Sequence, residues 1–340
     1  MNRIHHIKET LPRNIEDNID YPNVEFVLLD YNSTDGLEDW VKNNLTEYID
    51  KGILNYYKTT EPDFFDRSLS RNIAFKLASG EILCNIDADN FTGKGFAFYV
   101  NEAFNKDSNI FLTADTKRIY YFLRNAFGRY CLQSKDFFRA GGLNEEMKSY
   151  GSETTDFYER LINLGIKESI IMDTKFLDAI SHDDNERVSN EYFIKSLESL
   201  YIHYISCDES ELLIQFSDNR FEKCIISTDS EEPFLPASLK KSSFVKGFWE
   251  TNQNQLLLRH NGRQQALTKN KKVLKDSNNH IYYKINDNNF LIEIAKNYSF
   301  IINQSIKSVS ISKGIGKVNP NGFGVGNVMH NFSESIVLTP

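Results

Sequence analysis

Short apolar runs and helix-spaced apolar positions take turns along the first third of this chain. Ile4, Ile7 and Leu11 stand at helical spacing ahead of Pro12, which is expected to end or kink their helix. Val24–Leu29 is nearly all apolar and runs into Asp30, the pattern of a strand covered on both faces, as in a parallel sheet. Asp30–Gly36 has turn chemistry, with Asp35 expected to cap a helix over 37–44. Leu54–Thr59 reads as a second strand. Leu69, Ile73, Ala74 and Leu77 form one face of a helix over 68–78, with Ser68 or Ser70 as cap and Gly80 as stop. A short apolar run follows at once, Glu81-Ile-Leu-Cys-Asn-Ile-Asp87-Ala-Asp89, too brief for a helix of its own. Helix 94–105 and strand 109–114 continue the alternation, which predicts an α/β layer on a mainly parallel sheet.

Further along, Ala140-Gly-Gly-Leu-Asn-Glu145 is a turn, and Gly151-Ser-Glu-Thr-Thr-Asp-Phe-Tyr-Glu-Arg-Leu opens a helix. Ser152 is expected to cap it and Gly165 to stop it. Glu153 and Asp156 fall in its first turn, where carboxylates also occur simply because they stabilise helices. Ile170–Ile180 looks strand-like and leads to Ser181-His182, and 190–205 reads as a long amphipathic segment that packs against the sheet. After residue 207 short apolar runs alternate with Asn, Asp, Ser and Gly, which predicts a smaller β-rich part. The division is therefore 1–206, an α/β domain, and 207–340, a β-rich accessory domain. The glycines between Gly314 and Gly326 lack a strand-to-helix setting and read as turns rather than a phosphate loop. In the β-rich part, Phe248-Trp249 and Tyr282-Tyr283 suit either the core or stacking on sugar rings.

Composition narrows the function. With 39 basic and 47 acidic residues the net charge is −8, which argues against a broadly basic nucleic-acid surface. An acidic protein that handles phosphorylated ligands needs a cation to offset repulsion. Cys84, Cys131, Cys207 and Cys224 lie far apart without a CxxC, which argues against zinc and against a disulfide framework. Free thiols in a reducing compartment, and hence a cytoplasmic protein, are expected. No window approaches the length of a membrane span, while peripheral membrane contact stays open.

Asp87 and Asp89 flank one residue at a strand end, so both side chains can turn to one side, toward a hard cation. Asp30 also ends a predicted strand, and ligands of such sheets sit outside the strands' carboxyl ends. With Gly141-Gly142, Glu153/Asp156 and His182 in order behind these acids, the first two hundred or so residues resemble family 2 glycosyltransferases of the GT-A fold. The Gly-Gly-Leu-Asn-Glu to Glu-x-x-Asp-Phe-x-x-Arg region is also similar to the catalytic segment of galactosyltransferase-type enzymes. The resemblance does not reach residues 207–340.

That resemblance implies roles. Asp30 contacts the base or ribose of a nucleotide-sugar, and the helix with Arg71 and Asn72 lies beside the nucleotide. Asp89 holds Mn²⁺ or Mg²⁺, Asp87 serves ribose or metal, and His182 completes the metal site. Two departures matter. The family usually begins with a strand ending in Pro-x-x-Asn-Arg, whereas this chain starts at the Asn2-Arg3 equivalent, so that strand is expected to be missing. The family also commonly reads Glu-Asp where this chain has Glu153-Thr154. Threonine is no base near neutral pH, which leaves Glu153 and then Asp156 as candidate catalytic bases. The function implied is metal-dependent, inverting sugar transfer, as in polysaccharide biosynthesis. The donor is a nucleotide-sugar, UDP-sugar by analogy, and the acceptor a carbohydrate that is free or lipid-linked. The alternative is a decayed transferase that serves as a glycan-binding or scaffold protein.

Overall fold

In the computed structural model, helix α1 (Ile4–Asn18) continues through Pro12 instead of ending there. An interior proline costs about 3 kcal/mol. Against that, Ile7, Leu11 and Ile15 pack with Leu37, Val41, Leu54 and Tyr56 in one buried cluster. Tertiary packing of this kind, rather than propensity, decides most helices. The structure describes residues 1–114, 126–227, 238–239, 244–313 and 318–340.

Strand β1 (Phe26–Tyr31) and β2 (Leu54–Thr59) pair in parallel, with α2 (Leu37–Asn44) and α3 (Thr46–Asp50) between them. Gly36, at φ +86°, occupies the cap position of α2 without a side-chain bond. Asp35 serves α1 instead, where its Oδ2 accepts the Ile4 amide at 2.8 Å. Helix α4 (Arg67–Leu77) is capped by Asp66, not by Ser68 or Ser70, both of which lie inside the helix and are buried. Then follow β3 (Ile82–Asn85), α5 (Phe96–Lys106), β4 (Ile110–Thr113), β5 (Tyr130–Gln133), α6 (Ser134–Arg139), α7 (Glu153–Asn163) and β6 (Lys167–Ile170).

These strands make mixed sheets, which corrects the expectation of a mainly parallel one. The second sheet runs β3-β5-β4-β6, and β5 is antiparallel to both β3 and β4. Only β4 and β6 pair in parallel there. An apolar run reports burial on both faces and carries no information about direction, so the sequence pattern could not tell the two cases apart.

The chain divides into two compact units, Met1–Asp183 with Asn303–Pro340, and Asp184–Ile302. The second begins with α8 (Asp184–Val188) and α9 (Tyr192–Ser196), followed by strands β7 (Leu197–Tyr204), β8 (Glu209–Phe216), β9 (Arg220–Ser227), β10 (Ser238–Leu239), β11 (Val245–Asn252), β12 (Gln255–His260), β13 (Arg263–Asn270), β14 (Val273–Lys275) and β15 (Ile281–Lys284). All pair antiparallel, and β9 bonds β8 as well as β11, so eight strands close into a barrel with β10 added on β9. Closure removes the exposed edges an open sheet would carry. Leu213, Phe221, Leu256, Leu267 and Tyr282 belong to one buried cluster. Leu212, Ile214 and Cys224, displaced by one residue along their strands, pack with Ile294, Tyr298 and Ile301 of helix α10 (Asn288–Lys313). The segment 190–205, expected as one long amphipathic segment, divides into α9 and strand β7, in which Leu200, Tyr201 and Ile202 are buried. The aromatic pairs split by the same alternation: Tyr282 is buried while Tyr283 and Phe248 are exposed. Trp249 is half-buried and donates its indole N–H to Phe216 O at 3.0 Å.

After α10 the chain returns to the first unit. Strand β16 (Gly326–His330) pairs antiparallel with β2 and forms a hairpin with β17 (Glu334–Leu338). The structure therefore divides the chain differently from the 206/207 split, since the strand pattern of 326–338 does not say which sheet those strands join. Of the glycine-rich stretch, residues 314–317 lie outside the described residues. From Val318 onward it forms turns docked on the first unit, where Asn319 Nδ2 donates to Gly141 O and Leu143 O at 2.8 and 2.7 Å. Among the described residues, no helix is long and apolar enough to cross a membrane.

Burial raises the Asp66 carboxyl to about 7, although the Leu69 amide at 2.9 Å works the other way and nearby Glu145 adds to the rise. The folded state therefore holds this proton longer than the unfolded chain, and stability falls between about pH 4 and pH 7 on its account. Asp66→Asn keeps the cap and removes the titration. Its stability relative to the parent, from urea melts, should rise over that window by a few kcal/mol and level off above it. A pH-independent difference would assign the proton elsewhere.

Candidate active site

The acids predicted from the sequence meet around one arginine. Arg71, on the second turn of α4 and nearly buried, donates Nη2 to Asp87 Oδ1 and Nη1 to Glu153 Oε1, each at 3.1 Å. The same Nη1 reaches Thr154 Oγ1 at 3.3 Å. Asp87 follows β3 and Glu153 is the first residue of α7, so a single guanidinium ties two elements far apart in sequence. Burial works to raise the Asp87 carboxyl, but the Arg71 charge, then Arg67 and the Asn85 amide, outweigh it and hold Asp87 below the ordinary carboxylate range. Burial likewise opposes the charge on Arg71, but Asp87, Tyr130 and Glu153 together outweigh it, so Arg71 stays protonated under all ordinary conditions.

Asp89 points to a different partner. Its Oδ2 lies 2.8 Å from His182 Nε2, with both side chains mostly buried. The backbone brings them together. Ile180 N donates to Asp89 O at 2.8 Å and Phe91 N to Asp178 O at 2.9 Å, so the segment before His182 runs beside the acidic loop. A carboxylate oxygen and an imidazole nitrogen at this separation fit a divalent cation, because two ligand atoms about 2.1 Å from an octahedral ion lie about 3 Å apart. The donor set suits Mn²⁺ or Mg²⁺, provided His182 is neutral when it binds.

Two predicted residues have other surroundings. Asp30, at the end of β1, is 1% exposed. Its Oδ1 accepts the Ser33 amide at 3.0 Å and its Oδ2 the Tyr56 hydroxyl at 2.7 Å. Asp156 is fully buried, bonds Arg160 Nε at 2.9 Å, and is raised by burial despite that arginine. Arg160 in turn donates to Ala140 O and Gly142 O. Asp156 is thus tied through Arg160 to the glycine turn and is fully buried, while Glu153 faces Arg71.

Sequence reasoning missed what holds the acidic loop. Thr10, Asn14 and Asn18, spaced four apart on α1, are all buried. Thr10 Oγ1 donates to Ala88 O at 2.7 Å, and Asn14 Nδ2 to Asn90 O at 2.9 Å. Asn14 Oδ1 accepts the Thr92 amide, and Asn18 Nδ2 donates to Thr92 Oγ1, both at 2.8 Å. A stripe of one hydroxyl and two amides at i, i+4, i+8 looks like a solvent face unless its one-residue-wide regularity is noticed. Gly128 was also missed: a Cβ there would stand 2.1 Å from Asp87 Oδ2.

Residues 1–144 match glycosyl transferase family 2. Those residues form a family 2 glycosyltransferase domain. The protein is a glycosyltransferase, and family 2 enzymes take their sugar from a nucleotide-sugar. No curated protein sequence matches the chain. Among solved structures, it is similar to a Drosophila β1,4-galactosyltransferase 7 mutant in complex with manganese, UDP-Gal and xylobiose, at 16% identity and TM-score 0.31, over 48% of this chain and 74% of that one. It is also similar to S. aureus TarS, at 17% identity and TM-score 0.40, over 51% and 56%. A third similar structure is GalNAc-T7 with UDP, GalNAc and Mn²⁺, at 10% identity and TM-score 0.38, over 84% and 78%. The family match carries the assignment of this glycosyltransferase domain, not these likenesses.

Gly128→Ala tests how closely Asp87 must be seated. The added methyl displaces the Asp87 carboxylate and breaks its bond to Arg71, while φ at Gly128 lies in the ordinary range and the backbone accepts alanine. Nucleotide-sugar affinity should fall by about tenfold, with a melting temperature within a few degrees of the parent. Unchanged nucleotide-sugar affinity would show that Asp87 can leave Arg71 without consequence.

Proposed function

We propose that this protein is a metal-dependent, inverting glycosyltransferase that moves a sugar from a UDP-sugar to a hydroxyl group of a glycan or related acceptor. The observation that carries the reading is Arg71, whose one guanidinium joins Asp87 on the donor side to Glu153 on the acceptor side. Asp89 and His182, with Asp87 beside them, would hold Mn²⁺ or Mg²⁺. When bound, that ion supplies positive charge to the departing nucleoside diphosphate. Asp30 is assigned to the base or ribose through the lone pairs that Ser33 and Tyr56 leave free.

Glu153 is the proposed base. It is the first residue of α7 and lies 3.1 Å from the Arg71 guanidinium. Ionised, it accepts the acceptor hydroxyl's proton as that oxygen bonds to the anomeric carbon and the bond to the diphosphate breaks on the opposite face. Attack from the face opposite the leaving group inverts the configuration. Thr154 adds a hydroxyl beside Arg71 and takes no proton. The barrel is proposed as an accessory domain, and four free cysteines support a cytoplasmic, reducing setting.

Asp89→Ala should abolish Mn²⁺-enhanced UDP binding in calorimetry and leave the fold intact. Metal enhancement that survives this change would remove Asp89 from the cation site. Glu153→Gln still accepts from Arg71 but takes no proton, so turnover should fall on the order of a hundredfold while UDP affinity holds. Near-parental turnover would end the role of Glu153 as base. A parent protein that binds UDP-sugars and transfers to no acceptor, yet gains activity with Thr154→Asp, would favour the decayed, glycan-binding reading.

A further inference from the structure

Arg129, one residue before β5, is 0% exposed. Its guanidinium carbon lies 5.7 Å from the Phe96 ring centroid, and its Nη2 donates to Asn90 Oδ1 at 3.1 Å. Nε and Nη1 have no hydrogen-bond partner among the described residues. A buried cation with unfilled donors costs stability, and an apolar side chain of similar volume would fill the same space without that cost. Packing therefore does not account for Arg129.

Its one bond has a directed consequence. A guanidinium only donates, so the amide of Asn90 must turn its oxygen to Arg129 and its nitrogen the other way. Asn90 Nδ2 accordingly donates to Asp89 Oδ1 at 2.9 Å. Reversed, the amide would set its oxygen against the Asp89 carboxylate and repel it. With Oδ1 taken by Asn90, Asp89 has Oδ2 left to offer, and that oxygen faces His182 Nε2 at 2.8 Å. The relay runs from the buried arginine through one amide to Asp89 Oδ1 and leaves Oδ2 for the cation. Asn90 is itself fixed, since its carbonyl accepts from Asn14 and its amide N–H donates to Asp87 O. The Arg129 bond acts on the remaining rotation, that of the Asn90 side-chain amide.

We infer that Arg129 is a positioning residue for the cation site: acting through Asn90, it commits Asp89 to present a single oxygen beside His182. This rests on the reading of Asp89 and His182 as cation ligands. Partners one shell behind a metal ligand typically change affinity by about 10–100-fold when removed.

The test uses the full chain, titrated with Mn²⁺ alone and with Mn²⁺ plus UDP, alongside melts without metal. Arg129→Met should melt at or above the parent temperature and bind Mn²⁺ about tenfold more weakly or worse. Arg129→Lys, which restores a donor, should recover part of that loss. Asn90→Ala should weaken Mn²⁺ to a similar extent, and the double variant should be no worse than the weaker single, since both cut one relay. Lower melting with Mn²⁺ affinity unchanged in Arg129→Met would overturn the proposal and make the arginine structural. Should Arg129→Met fail to fold, Asn90→Ala decides alone, with unchanged Mn²⁺ affinity overturning the relay and a tenfold loss supporting it. A parent protein that binds no Mn²⁺ would sink the cation site and the relay together. Parent binding with unaffected variants would sink the relay only.

Discussion

Two carboxylates brought close together repel unless a proton or a cation stands between them, and here a cation, Arg71, does so. Asp87 and Glu153 lie 66 positions apart in the chain (153 − 87), yet each spends an oxygen on the same guanidinium. Removing one partner from such a group leaves a charge stranded in low dielectric, which costs far more than the pair contributes when intact. The site is therefore held by mutual need. The helix α4 that carries Arg71 must sit where both acids can reach it. Its neighbour Asn72 secures this by donating to Leu143 O and to Glu145 Oε1, at 2.9 and 2.8 Å, and accepting the Leu143 amide. One helical turn thus fixes both the charged centre and the Gly-Gly-Leu-Asn-Glu loop beside it.

The opposite side of the acidic loop is held by neutral groups. Thr10 and Asn14 bind backbone atoms of residues 88–92, and Asn18 binds the Thr92 hydroxyl. This division of labour has a physical reason. A lysine or arginine on α1 would compete with any cation for Asp89, whereas an amide fixes the backbone and leaves the carboxylate's charge available. Amides also explain how α1 survives Pro12, because their tertiary bonds compensate for the intrahelical bond the proline lacks.

Much of this was legible in the sequence, and the boundary of what was legible is instructive. Asp87 and Asp89 stood out because a short apolar run ended in them, and helix 37–44 was read to its observed bounds. Caps were less legible. Asp35, Ser68 and Ser152 all had the right chemistry in the right place, yet Gly36 and Asp66 took two of the cap positions and Ser152 makes no capping bond at φ +71°. Local chemistry lists candidates for a cap, and tertiary geometry chooses among them. Strand direction was not legible at all, because burial on both faces reads alike in parallel and antiparallel pairs. Asp156 and Glu153 occupy one helical turn and look equivalent in sequence. Arg160, four residues on, pairs with the first, while the second pairs with Arg71.

The return of the chain's last segment follows from the same economy of contacts. Glu145 Oε1 accepts both Asn72 Nδ2 and the Gly324 amide, at 2.8 and 2.6 Å, so one carboxylate oxygen joins α4, the glycine loop and residues beyond 318. Lys76, one turn further along α4, donates to Phe323 O at 2.9 Å. Phe323 packs edge-on against Phe137, and a Cβ on Gly142 would stand 2.7 Å from its ring, so glycine is needed there for close approach as well as for its φ of +68°. At the start of α7, Asn303 Nδ2 donates to Ser149 O and Gly151 O, holding the turn that leads into Glu153. The residues that return after the barrel therefore complete the support of the very loop and helix that present Glu153 to Arg71. A domain cut after residue 206 would keep every predicted site residue and lose what positions them.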